Sequence, residues 1–342
     1  MLYGVDTLLA SCPFLGIIVN GNFFVHLFLL ISGYVMAWQT IQMKSERLGL
    51  FCFKRYLKLV FAIAVCAAIA FAEFAFNAIK DGQGLGALLK EAHKFFRAIF
   101  IDVPFCGDIR IYGPFWMLNY IFLGGIFVAL ISSLAWVLDG KKVFWAAAVI
   151  VLALYASLTA QNVHWASVML GCALCLFNAF YGVQFGKAAL LLLLAALFFG
   201  SYPTGLIPSG AFKPFVFPVA ADFSPYYWHS FASFLLILFM LNCQAARNFL
   251  SKKAFLALGK ISLWVYILHG FSISWAERLL GLILPENGGQ NYVLTAGLSF
   301  LTATAILLLA SLAMAKFITP LGNKLVEKII GSMAPSDTSA AN

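Results

Sequence analysis

A polar stripe lies within one of the most apolar stretches of the chain. Ser262, Tyr266 and His269 are spaced by four and three residues, so a helix places all three on one face, and Ser272 continues that face. A histidine beside hydroxyl groups can act as a general base, or it can belong to a hydrogen-bonded network between helices. Because an ionisable residue is costly inside a membrane span, we expect the stripe to mark a polar site.

His26 is the second candidate base. Gly33 lies two turns further along the same helical face, where a missing side chain allows a neighbouring helix to approach closely. His26 can be a general base or a hydrogen-bonded interface residue, and the sequence leaves both open. His93, His164 and His229 fall in predicted outside loops or at span ends, and we interpret them as interface residues.

A basic cluster precedes a long apolar run. Lys54, Arg55 and Lys58 lie within about one turn of one another where a helix is predicted to enter the membrane. Positive side chains near a helix N-terminus suit a phosphorylated ligand. Topology offers a second explanation, because basic residues are enriched on the cytoplasmic side of membrane spans.

The composition requires these residues to be positioned by membrane helices. The chain is 63% hydrophobic and 10% charged, with a mean hydropathy of +0.95. Apolar runs of this length predict an all-α, polytopic transmembrane helix bundle. We predict about nine spans, near residues 23–40, 57–79, 114–137, 143–160, 164–182, 187–200, 227–245, 260–282 and 291–316.

The net charge of +9 follows from topology and does not indicate a nucleic-acid partner. Most Lys and Arg residues fall on one side of the predicted spans, in the loop at 41–56, in later loops on that side and in the C-terminal segment. By the positive-inside rule, that side and the C-terminus are cytoplasmic. The lipid bilayer is therefore the first expected partner, and the oligomeric state stays open.

The remaining sequence features are organisational. Residues 1–331 are predicted to form a single transmembrane domain, followed by a small, polar and disordered tail at 332–342. Between 80 and 113, apolar residues at helical spacing opposite charged ones predict an amphipathic helix in the outer interface. Cys172 and Cys175 form a CxxC without nearby histidine or carboxylate ligands, so we interpret them as packing residues and expect no metal site.

Four segments in order resemble the integral-membrane acyltransferase 3 family, whose members acylate cell-surface glycans. The segments with matching or similar residues are Phe23 to Tyr34, which includes Ser32 and Gly33, then Lys54 to Lys58, then Gly113 to Leu118 with Trp116, and Leu258 to His269. The third segment is similar to the family pattern G-P-L-W-F-L. The fourth is similar to L-G-x-I-S-Y-S-L-Y-L-x-H.

The resemblance implies an expected ten-helix bundle and an acyltransferase without a bound cofactor. Acyl-CoA, most often acetyl-CoA, is the implied donor substrate on the cytoplasmic side, and a glycan or glycolipid reached from the outer face is the implied acceptor. Lys54, Arg55 and Lys58 become candidates for the coenzyme A phosphates. Ser32, Gly33, Trp116, Ser262 and Tyr266 become supporting residues, and His269 changes from principal base to a site residue. The implied location is the bacterial inner membrane.

The chain departs from the family pattern near its start. The family's first helix has an Arg and a His, the latter the presumed base, and that pair would fall at or before Met1. A late start, a truncated inactive copy, and a divergent enzyme that uses His26 are the three open explanations. A family Glu is replaced by Ile121, and an acidic position by His26. A non-enzymatic carrier or flippase for a glycan or lipid is the competing functional class.

Overall fold

The computed structural model describes residues 12–43, 47–82, 84–182, 184–217, 221–283 and 292–333. This part of the chain is 87% helical and contains no strand, which confirms the all-α class. The chain divides into two compact units, which are residues 1–50 with 120–250 and residues 51–119 with 251–342. The single domain expected over 1–331 stays a prediction.

The first unit contains the first helix and the helices between residues 118 and 250. They are α1 (Gly21–Ile41), α5 (Leu118–Ser133, from Tyr120 onward), α6 (Gly140–Ala156), α7 (Ala160–Tyr181), α8 (Ala189–Gly200), α9 (Ser224–Asn242) and α10 (Gln244–Leu250). The second unit contains α2 (Leu48–Lys80, from Phe51 onward), α3 (Leu85–Arg97), α4 (Val103–Cys106), α11 (Lys253–Ile283), α12 (Tyr292–Ala313) and α13 (Thr319–Met333).

Six helices in the described residues are long and apolar enough to cross a membrane, or seven if a bent pair counts as one span. All nine predicted spans coincide with helices, but the count of nine spans is not confirmed. Helix α6 has 17 residues and α8 has 12, which makes α8 short for a hydrocarbon core about 30 Å thick. Helix α9 is followed by α10 after a bend of 97°.

Glycines bring the backbones of α1 and α7 into direct contact. A Cβ atom on Gly33 would lie 1.9 Å from the carbonyl oxygen of Val168, and one on Gly171 would lie 2.1 Å from that of Leu30. Neither position accepts a larger residue unless the helices move apart. The predicted role of Gly33 in close helix approach is therefore confirmed, and this contact fixes α1 against α7.

An apolar layer continues the contact between these helices. Leu30 of α1, Leu174 of α7 and Leu238 of α9 form a buried cluster. Lipid tails are as apolar as leucine, so close packing, more than removal from water, holds such a layer together. The three helices thus pack side by side, and the layer lies about one to three turns from the polar residues described below.

In the second unit, residues Leu85–Arg97 form the predicted amphipathic helix, α3. Its place in the outer interface stays a prediction. Helix α2 has 33 residues, hence a length of about 50 Å, so it is longer than a hydrocarbon core is thick. The last helix ends at Met333, and residues 334–342, most of the predicted tail, lie outside the described residues.

Candidate functional site

Three histidines from three helices meet inside the first unit. His26 of α1 stacks on His164 of α7, with ring centroids 5.0 Å apart and planes 17° apart, and His229 of α9 lies 6.5 Å from His26. Tyr226 contacts the rings of His26 and His164 edge-on. All three histidines are buried, whereas Tyr226 is half-buried. The structure therefore places His164 and His229 between helices, beside His26.

Ser167 of α7 fixes the orientation of the His26 ring. Its hydroxyl oxygen lies 2.8 Å from Nδ1 of His26, 2.9 Å from the carbonyl oxygen of Val163 and 2.7 Å from the hydroxyl of Ser230. A hydroxyl has one proton and two lone pairs, and a carbonyl can only accept. These three contacts are all satisfied when Ser167 donates to Val163 and accepts from both His26 and Ser230.

That arrangement determines the tautomer of His26. If Nδ1 donates to Ser167, then Nε2 of the neutral ring has no proton and can only accept. Nε2 is buried and has no hydrogen-bond partner among the described residues. An unpaired buried ring nitrogen is unfavourable, so a ligand hydroxyl placed here would give Nε2 the hydrogen-bond donor that the described residues do not supply.

A chain of hydroxyl groups extends from this histidine to α6. Ser230 of α9 bridges Ser167 and Tyr155, and the Tyr155 hydroxyl lies 2.6 Å from that of Ser230. Tyr155 can donate to Ser230, which then donates to Ser167. Every hydroxyl in the chain is then satisfied, and four helices contribute to the position of one imidazole ring.

Polar residues around α1 and α8 hold the third histidine. Nδ1 of His229 lies 3.0 Å from the side-chain nitrogen of Asn22, and Nε2 lies 2.9 Å from the carbonyl oxygen of Tyr202. With Nε2 donating to that carbonyl, Nδ1 accepts from Asn22. The side-chain amide nitrogen of Asn20 donates to the same Tyr202 carbonyl at 2.8 Å. Both ring nitrogens of His229 have hydrogen-bond partners, whereas His26 has a partner among the described residues only at Nδ1.

The polar stripe belongs to the second unit and is bonded mainly to backbone. Ser262 donates to the carbonyl of Gly259 in its own helix, and Nδ1 of His269 donates to the carbonyl of Tyr266 at 2.5 Å. The Tyr266 hydroxyl donates to the carbonyl of Pro114, 2.5 Å away. Tyr266 and His269 contact each other through their rings, 5.6 Å between centroids. The stripe therefore joins α11 to the turn that contains Gly113–Met117.

Tyr112 strengthens that junction. Its ring stacks on Phe271 with centroids 4.1 Å apart, and its hydroxyl accepts from the Phe271 backbone N–H. A Cβ atom on Gly270 would lie 2.6 Å from the Tyr112 hydroxyl, so this position next to His269 suits glycine. Burial raises the pKa of Tyr112 to about 12, which keeps the phenol neutral at physiological pH.

The basic cluster lies in the first turns of α2. Lys54 and Lys58 are exposed and Arg55 is half-buried. None of the three forms an ion pair with a carboxylate in the part of the chain that the structure describes. Their positive charges are therefore not neutralised within the described residues.

The acyltransferase domain model of the acyltransferase 3 family matches residues 3–315. This match covers most of the chain. The chain belongs to the acyltransferase 3 family. No curated protein and no solved structure matches the chain.

The acyltransferase 3 segments predicted from the sequence divide between the two units. His26, Ser32 and Gly33 belong to the first. The second contains Lys54, Arg55, Lys58, Trp116, Ser262, Tyr266 and His269. Within the second unit, the segment at 113–118 contacts the segment at 258–269 through Tyr266 and Pro114.

Ser32 and Trp116 are the two remaining predicted supporting residues. Ser32 follows His26 by six residues, which places it on a different face of α1, whereas Gly33 shares the face of His26. Trp116 belongs to the short turn at Gly113–Met117 and is half-buried. Their roles as supporting residues of this acyltransferase 3 protein stay predictions.

His164, Ser167, His229 and Ser230 are the site residues that sequence reasoning missed. One signal was available, because His26, His164 and His229 all lie within the first four residues of their predicted spans. The predicted topology puts those three ends on the same, outer side. Three histidines at one depth can meet if their helices are neighbours, and only the fold shows that they are.

Cys172 and Cys175 are fully buried, with the Cys172 sulfur 3.4 Å from the Ser132 hydroxyl. This placement agrees with their interpretation as packing residues in the acyltransferase 3 chain. Among the described residues, no group of three His, Cys, Asp or Glu side chains is arranged to hold a metal ion.

Proposed function

We propose that this acyltransferase moves an acyl group, here acetyl, from acyl-CoA on the cytoplasmic side to a hydroxyl of a surface or exported glycan. The main support is Nε2 of His26, which lies at the end of the hydroxyl chain and has no hydrogen-bond partner in the described part of the chain. Membership of the acyltransferase 3 family supplies the reaction class. The donor, the acceptor and the side from which each enters are part of the proposal.

In the proposed reaction, His26 is the general base. Nε2 removes the proton of the acceptor hydroxyl while the hydroxyl oxygen attacks the thioester carbonyl. The tetrahedral intermediate collapses, the carbon–sulfur bond breaks, and the coenzyme A thiolate receives the proton from Nε2. The products are an acyl ester and free coenzyme A, so atoms and charge balance. The donation from Nδ1 to Ser167 keeps Nε2 unprotonated at the start of the reaction.

The acceptor must reach a buried nitrogen. Tyr226 is the half-buried ring in contact with His26 and His164. We propose that this ring turns aside when the acceptor enters, which exposes Nε2 without moving the helices. Exclusion of water by the closed ring would also protect the thioester from hydrolysis.

His269 is assigned a supporting role, because the contacts of its stripe hold α11 against the Gly113–Met117 turn. Lys54, Arg55 and Lys58 are assigned to the phosphates of coenzyme A, because their charges lack carboxylate partners in the described residues. Transfer of label from labelled acetyl-CoA to a surface polymer tests the proposal as a whole.

A double substitution tests the donor site. Lys54→Ala with Arg55→Ala is expected to weaken coenzyme A binding by about 10- to 100-fold, because hydrogen bonds between charged groups are lost. The matched control is Lys252→Ala with Lys253→Ala, which also removes two charges from the second unit. The measurement is calorimetric titration of the purified protein with coenzyme A. If both double variants bind coenzyme A equally well, then the cluster only sets the membrane topology and does not bind the donor.

A further inference from the structure

A cavity lined partly by charged side chains lies within the second unit, in the connection between α2 and α5. Its volume is about 430 Å³, which falls in the range of small-molecule sites. The rings of Phe74 and Phe95 line one part of the cavity. Its charged lining includes Arg97, Asp102, Asp108 and Arg110. None of these residues belongs to the proposed base or donor site.

One turn of π-helix places the first charged pair. Residues Ala98–Asp102 form this turn directly after α3, so backbone hydrogen bonds there join residues five apart. Arg97 and Asp102 are also five apart, and Nε of Arg97 donates to Oδ1 of Asp102 at 3.1 Å. Asp102 is buried, whereas Arg97 is exposed. Turns of π-helix are rare in proteins, and many of those that occur lie at functional sites.

A tight turn places the second pair. Gly107 has a φ of 64°, and a Cβ atom there would lie 2.9 Å from the side chain of Asn119, so both backbone and space favour glycine. Asp108 follows it and accepts from Nε of Arg110 at 2.7 Å and from the Arg110 backbone N–H at 2.8 Å. The Arg110 guanidinium holds the pKa of Asp108 below its usual range, so the carboxylate stays ionised.

The two pairs form one network. Nη2 of Arg110 lies 3.6 Å from the second oxygen of Asp102, and the Asp108 backbone N–H donates to the Asp102 carbonyl at 3.2 Å. Carboxylates and guanidiniums therefore alternate along the cavity as Arg97, Asp102, Arg110 and Asp108. A carboxylate only accepts hydrogen bonds and a guanidinium only donates them.

We propose that this cavity binds a neutral sugar unit of the acceptor glycan. A sugar hydroxyl both donates and accepts, so it satisfies an adjacent carboxylate and guanidinium at once. Phe74 and Phe95 provide an apolar surface for the C–H face of the ring. The predicted topology puts the cavity on the outer side, where the proposed acceptor enters.

The charge balance selects the class of sugar. Arg97, Arg110 and Lys94 are matched by Asp102, Asp108 and Glu91, and each cation already has a carboxylate partner. An acidic sugar would be repelled by the three carboxylates. A cationic sugar would be repelled by the three positively charged side chains. A neutral, polyhydroxylated ligand meets neither repulsion.

The assignment to the acceptor rests on the proposed function, but sugar binding can be measured without an acyl donor. The full chain in lipid nanodiscs is titrated with chitobiose and lactose as neutral probes and with trigalacturonate as the acidic probe, by saturation-transfer NMR. Asp108→Asn and Arg110→Gln are expected to weaken binding of a neutral probe at least tenfold. Lys90→Gln, a charge change on the exposed surface of α3, is expected to leave it unchanged.

Three results would overturn the proposal: no binding of either neutral probe, tighter binding of trigalacturonate, or equal binding by the cavity variants and the Lys90 control. A thermal unfolding curve for each variant separates lost binding from lost folding. A chain that binds a neutral sugar in the cavity but transfers no acyl group would refute the proposed function alone. A chain that transfers acetyl without binding sugar there would refute the cavity alone.

Discussion

Substitution of His26 by glutamine is expected to lower acyl transfer by about 10²- to 10⁴-fold, the usual contribution of a general base. Glutamine can still hydrogen-bond to Ser167, so the buried network loses the base but keeps a polar partner. The affinity for coenzyme A should not change, because the proposed donor site lies on α2. The measurement is initial rate against acetyl-CoA concentration, with thermal unfolding as a check of the fold.

His269→Gln is the informative comparison, since both histidines are candidate bases from the sequence. Nδ1 of His269 donates to a carbonyl of its own helix, and the neighbouring Tyr266 joins α11 to the Pro114 turn. We expect the His269 variant to retain at least a tenth of the wild-type rate. Full activity in the His26 variant, with activity abolished in the His269 variant, would show that His269 of the second unit is the general base.

Gly33→Ala is expected to produce the largest loss of stability among the Gly→Ala changes at described glycines of the first unit. The new Cβ atom would lie 1.9 Å from the carbonyl oxygen of Val168, and backbone cannot turn away as a side chain can. Overpacking of this kind costs about 3 kcal/mol or more, which corresponds to a melting temperature lower by roughly 6 °C. Thermal unfolding of the purified protein measures the change.

Gly21→Ala is the matched control for this prediction. Gly21 is also in α1, but no atom lies within 4 Å of a Cβ built there, so the added methyl group meets open space. We expect its melting temperature to stay within about 2 °C of wild type, because surface substitutions change stability little. If the two alanine variants have the same melting temperature, then α1 and α7 are not in backbone contact.

Composition and hydrophobic periodicity were sufficient to predict the helices, because long apolar runs in this chain have one stable form in a bilayer. The residues at which the helices begin and end were harder to predict from the sequence. The span predicted at 227–245 ends at Asn242 and bends by 97°, and the one predicted at 260–282 begins earlier, at Lys253. Helix ends depend on caps and neighbours that hydropathy does not record.

The site was harder to predict because it depends on which helices are neighbours. His26 was a candidate from its depth in the span, and Gly33 from the face that it shares with His26. His164 and His229 could be placed only once α1, α7 and α9 were known to pack together. The polar stripe was read correctly as one helical face, but its hydrogen bonds go largely to backbone carbonyls.

The most direct test uses membranes that contain the full chain, acetyl-CoA labelled in the acetyl group, and surface polymer as acceptor. We predict label in the polymer, released as acetate by mild alkali because the product is an ester. Membranes that contain the His26→Gln variant are expected to transfer label at a rate lower by about 10²-fold or more. Folded protein that binds no coenzyme A and transfers no label to any surface polymer would contradict the account.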